Sequence, residues 1–186
     1  GEQVNLLDTV SITGQDTDGD TQAVDVALPV NDDITEILSA GEVASSDTVT
    51  VEDEKAPGGI DEDDGGLGSV DGTIVDNVNW GADGFDSATG FSVGNAEFAA
   101  GATVYWSQDG TFMDTDDTGA AASLLVNADG TYTYTLMDNL LLGQDAQGEQ
   151  VNLLDTVSIT GQDMDGDTQA VDVALQVTDD IPEILS

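Results

Sequence analysis

Cysteine and histidine are absent from the chain, and Lys55 is its one basic residue. Without thiols, neither a disulfide framework nor a thiolate metal site can form. Without imidazole as well, zinc and copper lose their usual ligands, while all-oxygen calcium sites remain open. A surface with a single positive charge has nothing to hold a phosphate backbone, so nucleic acid is not an expected partner. No apolar run approaches the roughly 18 residues that mark a membrane span, so no membrane insertion is expected of this segment. Aromatic residues make up 5% of the chain against 22 glycines, which points to a light core.

What is present in excess is acid. The 39 Asp and Glu residues set a formal charge of −38. Charge this one-sided usually accompanies disorder. Here, however, 39% of the residues are hydrophobic, and they are patterned. A chain that folds against such self-repulsion needs counter-charge, and bound Ca²⁺ is the simplest source.

Residues 1–39 recur at 148–186 without a gap, and the copies differ only at Thr17/Met164, Pro29/Gln176, Asn31/Thr178 and Thr35/Pro182. A copy this close at a fixed offset is the mark of a tandem array. The offset of 147 residues suits a small domain rather than a solenoid repeat. The chain therefore reads as a window on a longer array. Residues 1–31 are expected to be the C-terminal part of a preceding repeat and 32–35 a linker. Residues 34–180 form a complete repeat, and 178–186 a linker with the start of the next. The linkers are placed where the strand pattern breaks at "NDDIT" and "TDDIP", the second closed by Pro182. Neighbouring repeats of the same chain are the expected partners, with strand exchange with another copy as a further route. Either 1–31 or 148–178 could complete the front half of the repeat. The second is expected to do so, because a continuous run of hairpins joins it there, leaving 1–31 to be ordered by strands of another unit.

Val10 and Ile12 in 8–13, and Val24, Val26, Leu28 and Val30 in 22–30, alternate with polar neighbours. That period of two is the pattern of a half-buried strand. Shorter runs of the same kind stand at 47–51, 72–75, 102–106, 122–126 and 131–136. "NADG" (127–130) between two of them is a hairpin turn, and "LMDNLLL" (136–142) has room for one helical turn. Many short strands with Gly- and Asp-rich turns predict an all-β, antiparallel two-sheet β-sandwich.

The Asp16-x-Asp18-Gly19-Asp20 loop and its copy Asp163-x-Asp165-Gly166-Asp167 carry the strongest chemical signal. Alternate carboxylates in a tight turn can face one centre, and glycine permits the bend, as in calcium loops generally. The closing glutamate of an EF-hand is missing, so the loop is not one. A solvated hairpin turn would also use Asp and Gly, but three like charges in one turn repel without a cation. Asp32, Asp33, Asp179 and Asp180 in the linkers are candidates for a calcium ion shared between adjacent units. "DTDDTG" (114–119) and "DEDD" (61–64) are weaker and read as solvated runs. "WGADGFD" (80–86) reads as a core aromatic followed by a turn. Catalysis is not expected: the paired carboxylates sit in short exposed turns, with no histidine, lysine or arginine beside them to shape a site.

"NADGTYTYTL" and "GEQVNLLDTVSITGQDMDGDTQAVDVALQVTDDIPEIL", with "NVNWGADGFD" (77–86) ahead of them, resemble the tandem, bacterial Ig-like extender domains of large type I-secreted RTX adhesins of Gram-negative bacteria. The likeness covers most of 70–186 and 1–39, and departs at Thr35, where the pattern has proline. It implies an Ig-like sandwich and an extracellular, cell-surface location, on an outer-membrane-anchored or secreted adhesin. The implied role is calcium-dependent extension of a distal ligand-binding region, for surface attachment and biofilm formation. The alternative is a calcium-dependent, lectin-like carbohydrate-binding module, for which Trp80, Trp106 and Tyr105 are the candidate sugar-stacking rings. Near-identical tandem copies favour the extender, because reach scales with copy number.

Overall fold

A computed structural model of the chain describes residues 4–15, 21–31, 36–37, 46–52, 68–142 and 151–178. The described chain is all-β. Its strands are β1 (Val4–Gln15), β2 (Thr21–Asn31), β3 (Glu36–Ile37), β4 (Ser46–Glu52), β5 (Ser69–Thr73), β6 (Val78–Asn79) and β7 (Phe85–Val93). They continue with β8 (Ala96–Ala99), β9 (Thr103–Ser107), β10 (Ala120–Val126), β11 (Thr131–Leu136), β12 (Val151–Asp163) and β13 (Thr168–Thr178). Among the described residues the one helical piece is a 3-10 turn, Val75–Asn77.

A four-stranded sheet has the order β5-β11-β10-β9, and a five-stranded sheet the order β4-β13-β12-β7-β8. One hydrophobic core draws on both. Val104, Trp106, Leu124, Val126, Tyr132 and Tyr134 enter from the first, and Phe91, Val157, Ile159, Val173 and Leu175 from the second. Each of these side chains sits at an inward position of its strand's alternation, which is why the period-two runs form strands. The turn at 127–130 joins β10 to β11 as expected, with the Gly130 N–H donating to the Asn127 carbonyl at 3.1 Å.

The second copy of the repeated segment completes this body: β12 pairs with β7, and β13 with β4. Of the first copy, β3 pairs with β6 of the body, Glu36 opposite Asn79 and Ile37 opposite Val78. β1 and β2 form a two-stranded sheet of their own. The expectation that 148–178 would finish the central sheets holds. The companion expectation, that 1–31 would be ordered by strands of another unit, concerns strands outside this chain; within it, among the described residues, β1 and β2 pair only with each other.

Three expectations need correction. The five-stranded sheet is mixed, because β4 runs parallel to β13, with Ser46 opposite Asp172 and Glu52 opposite Thr178. A parallel neighbour needs a long crossover, and here nearly the whole body lies between the two strands. Residues 136–142 hold no helical turn. The Met137 N–H donates to Ala121 and the Leu141 N–H to Gln108, each at 2.7 Å, so these amides bond to neighbouring segments rather than along a helix. The run at 72–75 leaves the sheet at Thr73 and turns into the 3-10 segment.

Candidate metal centre

The inward phase of β12 runs through Val157, Ile159 and Gly161 and ends on Asp163. Gly161 is forced by close approach: a Cβ there would stand 2.5 Å from the Trp80 ring. Trp80 packs edge-on against Phe85 at 5.0 Å between centroids, and Phe85 lies opposite Asp163 in the β7–β12 ladder. The Asp163 carboxylate is therefore carried inward at the end of an apolar row, and it is 1% exposed. The chain then turns through Met164–Asp167 into β13. Gly166 adopts φ 105°, a left-handed conformation that explains the glycine in the motif.

Asp163 Oδ1 accepts two backbone hydrogen bonds, from Gly166 N–H at 3.0 Å and Asp167 N–H at 2.8 Å. Its Oδ2 is buried and has no hydrogen-bond partner. An uncompensated buried carboxylate oxygen is costly, by several kcal/mol for an unpaired charge. Asp165, exposed, and Asp167, half-buried, bring their carboxylates to the same place, so that one ligand oxygen from each of the three lies within 4.8 Å of the others. At such separations each pair repels by on the order of 1 kcal/mol even in water, and by more beside a protein. A cation reverses every one of these terms. The all-oxygen donor set suits a hard ion, and the three aspartates could bind a metal ion.

Of the sequence candidates, the structure brings Asp163, Asp165 and Asp167 together. Asp16, Asp18, Asp20, Asp32, Asp33, Asp179 and Asp180 lie outside the described residues, as does 61–64. In the run 114–119, Asp116 Oδ1 accepts the Thr118 N–H at 3.0 Å. That backbone bond, with help from the Thr118 hydroxyl, holds the Asp116 carboxyl below its usual range. Asp109 and Asp129 act likewise in their own turns, lowered first by the side chains of Ser107 and Thr131 respectively. These are turn-closing carboxylates.

The rings named for sugar stacking sit mostly inside. Trp80 and Trp106 are buried, and Tyr105 is half-buried. The Trp80 indole N–H donates to the Val75 carbonyl at 2.9 Å. The Trp106 indole N–H donates to Asp155 Oδ2 at 3.0 Å. Sequence reasoning missed Asp155 as the carboxylate that ties the five-stranded sheet to the four-stranded one. Its signal was weak, because the register of β12 shifts between Leu153 and Asp155 and breaks the alternation there.

A scan against models of protein families finds no match to this chain, and a search of curated proteins finds none.

Proposed function

We propose that the chain is a calcium-dependent structural extender module of a cell-surface RTX adhesin. On this reading it is an Ig-like two-sheet β-sandwich with one parallel edge strand, stacked in a tandem array, and it projects a distal ligand-binding region from the cell. The observation that carries the calcium part is the buried, unpartnered Asp163 Oδ2 beside Asp165 and Asp167. The recurrence of 1–39 at 148–186 supports the array, and the charge of −38 favours an ion-rich extracellular setting. A bound Ca²⁺ supplies counter-charge and fixes the β12–β13 turn. Asp163, Asp165 and Asp167 hold it, with Asp16, Asp18 and Asp20 as the equivalent set in the first copy. The linker pairs Asp32–Asp33 and Asp179–Asp180 would stiffen the junctions by sharing an ion between units.

The test is a Ca²⁺ titration of the chain, followed by thermal unfolding and small-angle scattering, against a chelator. Half-saturation is expected in the extracellular range of about 10⁻⁴–10⁻³ M. A melting temperature and scattering envelope that ignore both calcium and chelator would reject the proposal. A glycan array on the same sample tests the lectin-like alternative, for which the burial of Trp80 and Trp106 leaves few rings free to meet a sugar.

A further inference from the structure

The β1–β2 hairpin presents an apolar face made of Val10, Ile12, Val24, Val26 and Leu28, all exposed. Val10 stands opposite Val26, and Ile12 opposite Val24. In β12–β13 the same pairs recur as Val157 with Val173 and Ile159 with Val171, including the register shift at the start of the hairpin. There the face is buried in the core shared with the four-stranded sheet, and the hairpin's two edges are held by β4 and β7.

A polar detail sharpens the match. Asp155 Oδ1 accepts the Thr156 N–H at 2.8 Å, and its Oδ2 accepts the Trp106 indole N–H at 3.0 Å. Its counterpart Asp8 makes the same local bond, from the Thr9 N–H at 2.7 Å. Asp8 thus sits in an otherwise apolar face at the position from which Asp155 receives an indole.

We infer that the β1–β2 hairpin is a donor module for a second copy of this chain. It inserts between β4 and β7 of a copy whose own β12–β13 is displaced, and it covers the core face of β9–β11. Asp8 then accepts the Trp106 indole N–H of that copy. The hydrophobic gain belongs to the pairing of a bare hairpin with an open body. Between bodies that each keep their own β12–β13, exchange replaces one such pairing by another and brings no net gain. Exchange therefore shows itself when a body lacks a working hairpin. The pairing requires neither calcium nor an adhesive role.

Two full-length variants test this. The acceptor carries Ile159→Asp and Val173→Asp, which disable its own hairpin, together with Thr48→Cys. The donor carries Ala27→Cys. Ala27 corresponds to Ala174, which lies opposite Thr48 in the β4–β13 ladder. The chain has no cysteine of its own, so any disulfide reports the engineered contact. The two are refolded together at physiological ionic strength, where screening over about 8 Å limits the repulsion between acidic chains. The expected result is a cross-linked heterodimer joined at 27 and 48, with the acceptor's tryptophan emission restored. A donor that also carries Ile12→Asp and Val26→Asp should lose the cross-link by about tenfold or more, since buried, unpaired carboxylates oppose insertion. A second acceptor, Ile159→Ala with Val173→Ala, guards against simple misfolding and should behave in the same way. The inference is overturned by no cross-link with either acceptor, by a cross-link indifferent to the donor's apolar face, or by acceptors that fold as monomers through their own 4–31.

Discussion

The chain holds nearly the same hairpin in two environments. β1–β2 and β12–β13 differ in their paired strands only at Pro29/Gln176 and Asn31/Thr178, and they share their antiparallel register and the register shift near their start. Ile12 is 59% exposed where Ile159 is 0%, and Val24 is 58% exposed where Val171 is 0%. Local sequence therefore decides the hairpin and leaves its burial open. The turn, the alternation and the cross-strand pairs suffice to set which residues face each other. What buries the inward face is a second sheet, which β12–β13 has and β1–β2 lacks among the described residues. A hairpin alone is marginal in water, so most of the stabilisation of the second copy comes from outside it.

The largest expected difference between the copies follows from that burial. Ile159→Ala should destabilise the body by about 2–5 kcal/mol, the range for truncating a buried aliphatic side chain. Ile12→Ala should change it by no more than about 0.5 kcal/mol, as for other surface substitutions. Denaturant unfolding read by tryptophan emission is the suitable measurement, because Trp80 and Trp106 both lie in the body. Equal effects at the two sites would abolish the contrast.

Gly161→Ala probes the same face by overfilling it. The added methyl would lie 2.5 Å from the Trp80 ring and 3.0 Å from Phe85, so those rings must move, at a cost of about 1–3 kcal/mol. A neutral Gly161→Ala would mean that Trp80 does not cover β12 as described.

Calcium should separate the copies next. If the ion binds the folded loop with the affinity proposed, 10 mM Ca²⁺ should stabilise the body by about 1.4–2.7 kcal/mol through mass action. Asp163→Asn should remove most of that gain, because it removes the charge of the buried carboxylate. Asp16→Asn, in the loop of the first copy, should leave the tryptophan-detected gain intact. Loss of the calcium effect in Asp16→Asn alone would reverse the assignment.

How much of this was legible in the sequence depends on how regular each strand is. The runs in β1, β2, β4, β9, β10, β11, β12 and β13 keep their alternation long enough to be read. β7 does not. Thr160 pairs with Gly90 and Gly161 with Ala88, so Thr89 is an extra residue, and Asp86 is a second one nearer the start of the strand. Each bulge flips the inward phase, which is why Ala88 is buried on one parity and Phe91 and Val93 on the other. The parallel placement of β4 is a matter of tertiary pairing that no local pattern encodes. The acidic loop was legible as a unit, but its three aspartates looked equivalent. Their ranking was within reach, since Asp163 continues the inward phase of Val157 and Ile159. The orphaned Oδ2 was not, because it depends on where Gly166 and Asp167 point their N–H groups.

Acid should give the smallest effect, and it confines the contrast to the body. The two copies carry the same titrating residues, and neither contains Asp109, Asp116 or Asp129. These three carboxyls are held below the usual value of 3.8 by hydrogen bonds from Ser107, Thr118 and Thr131. A carboxyl lowered in the folded state contributes stability above its unfolded value, and that contribution is lost as pH falls through the lower, folded one. Protonating the many other acids relieves repulsion and works in the opposite direction, so the absolute curve mixes the two effects. The difference between the parent chain and Asp129→Asn isolates one turn. The amide can still accept from Thr131, but it does not titrate. The parent's advantage should be small, present above about pH 4, and should shrink as pH drops below that value. Exposure of all three groups keeps the effect modest. A difference that stays constant across the acid range, or grows toward low pH, would show that the Asp129 turn does not stabilise the body through its charge.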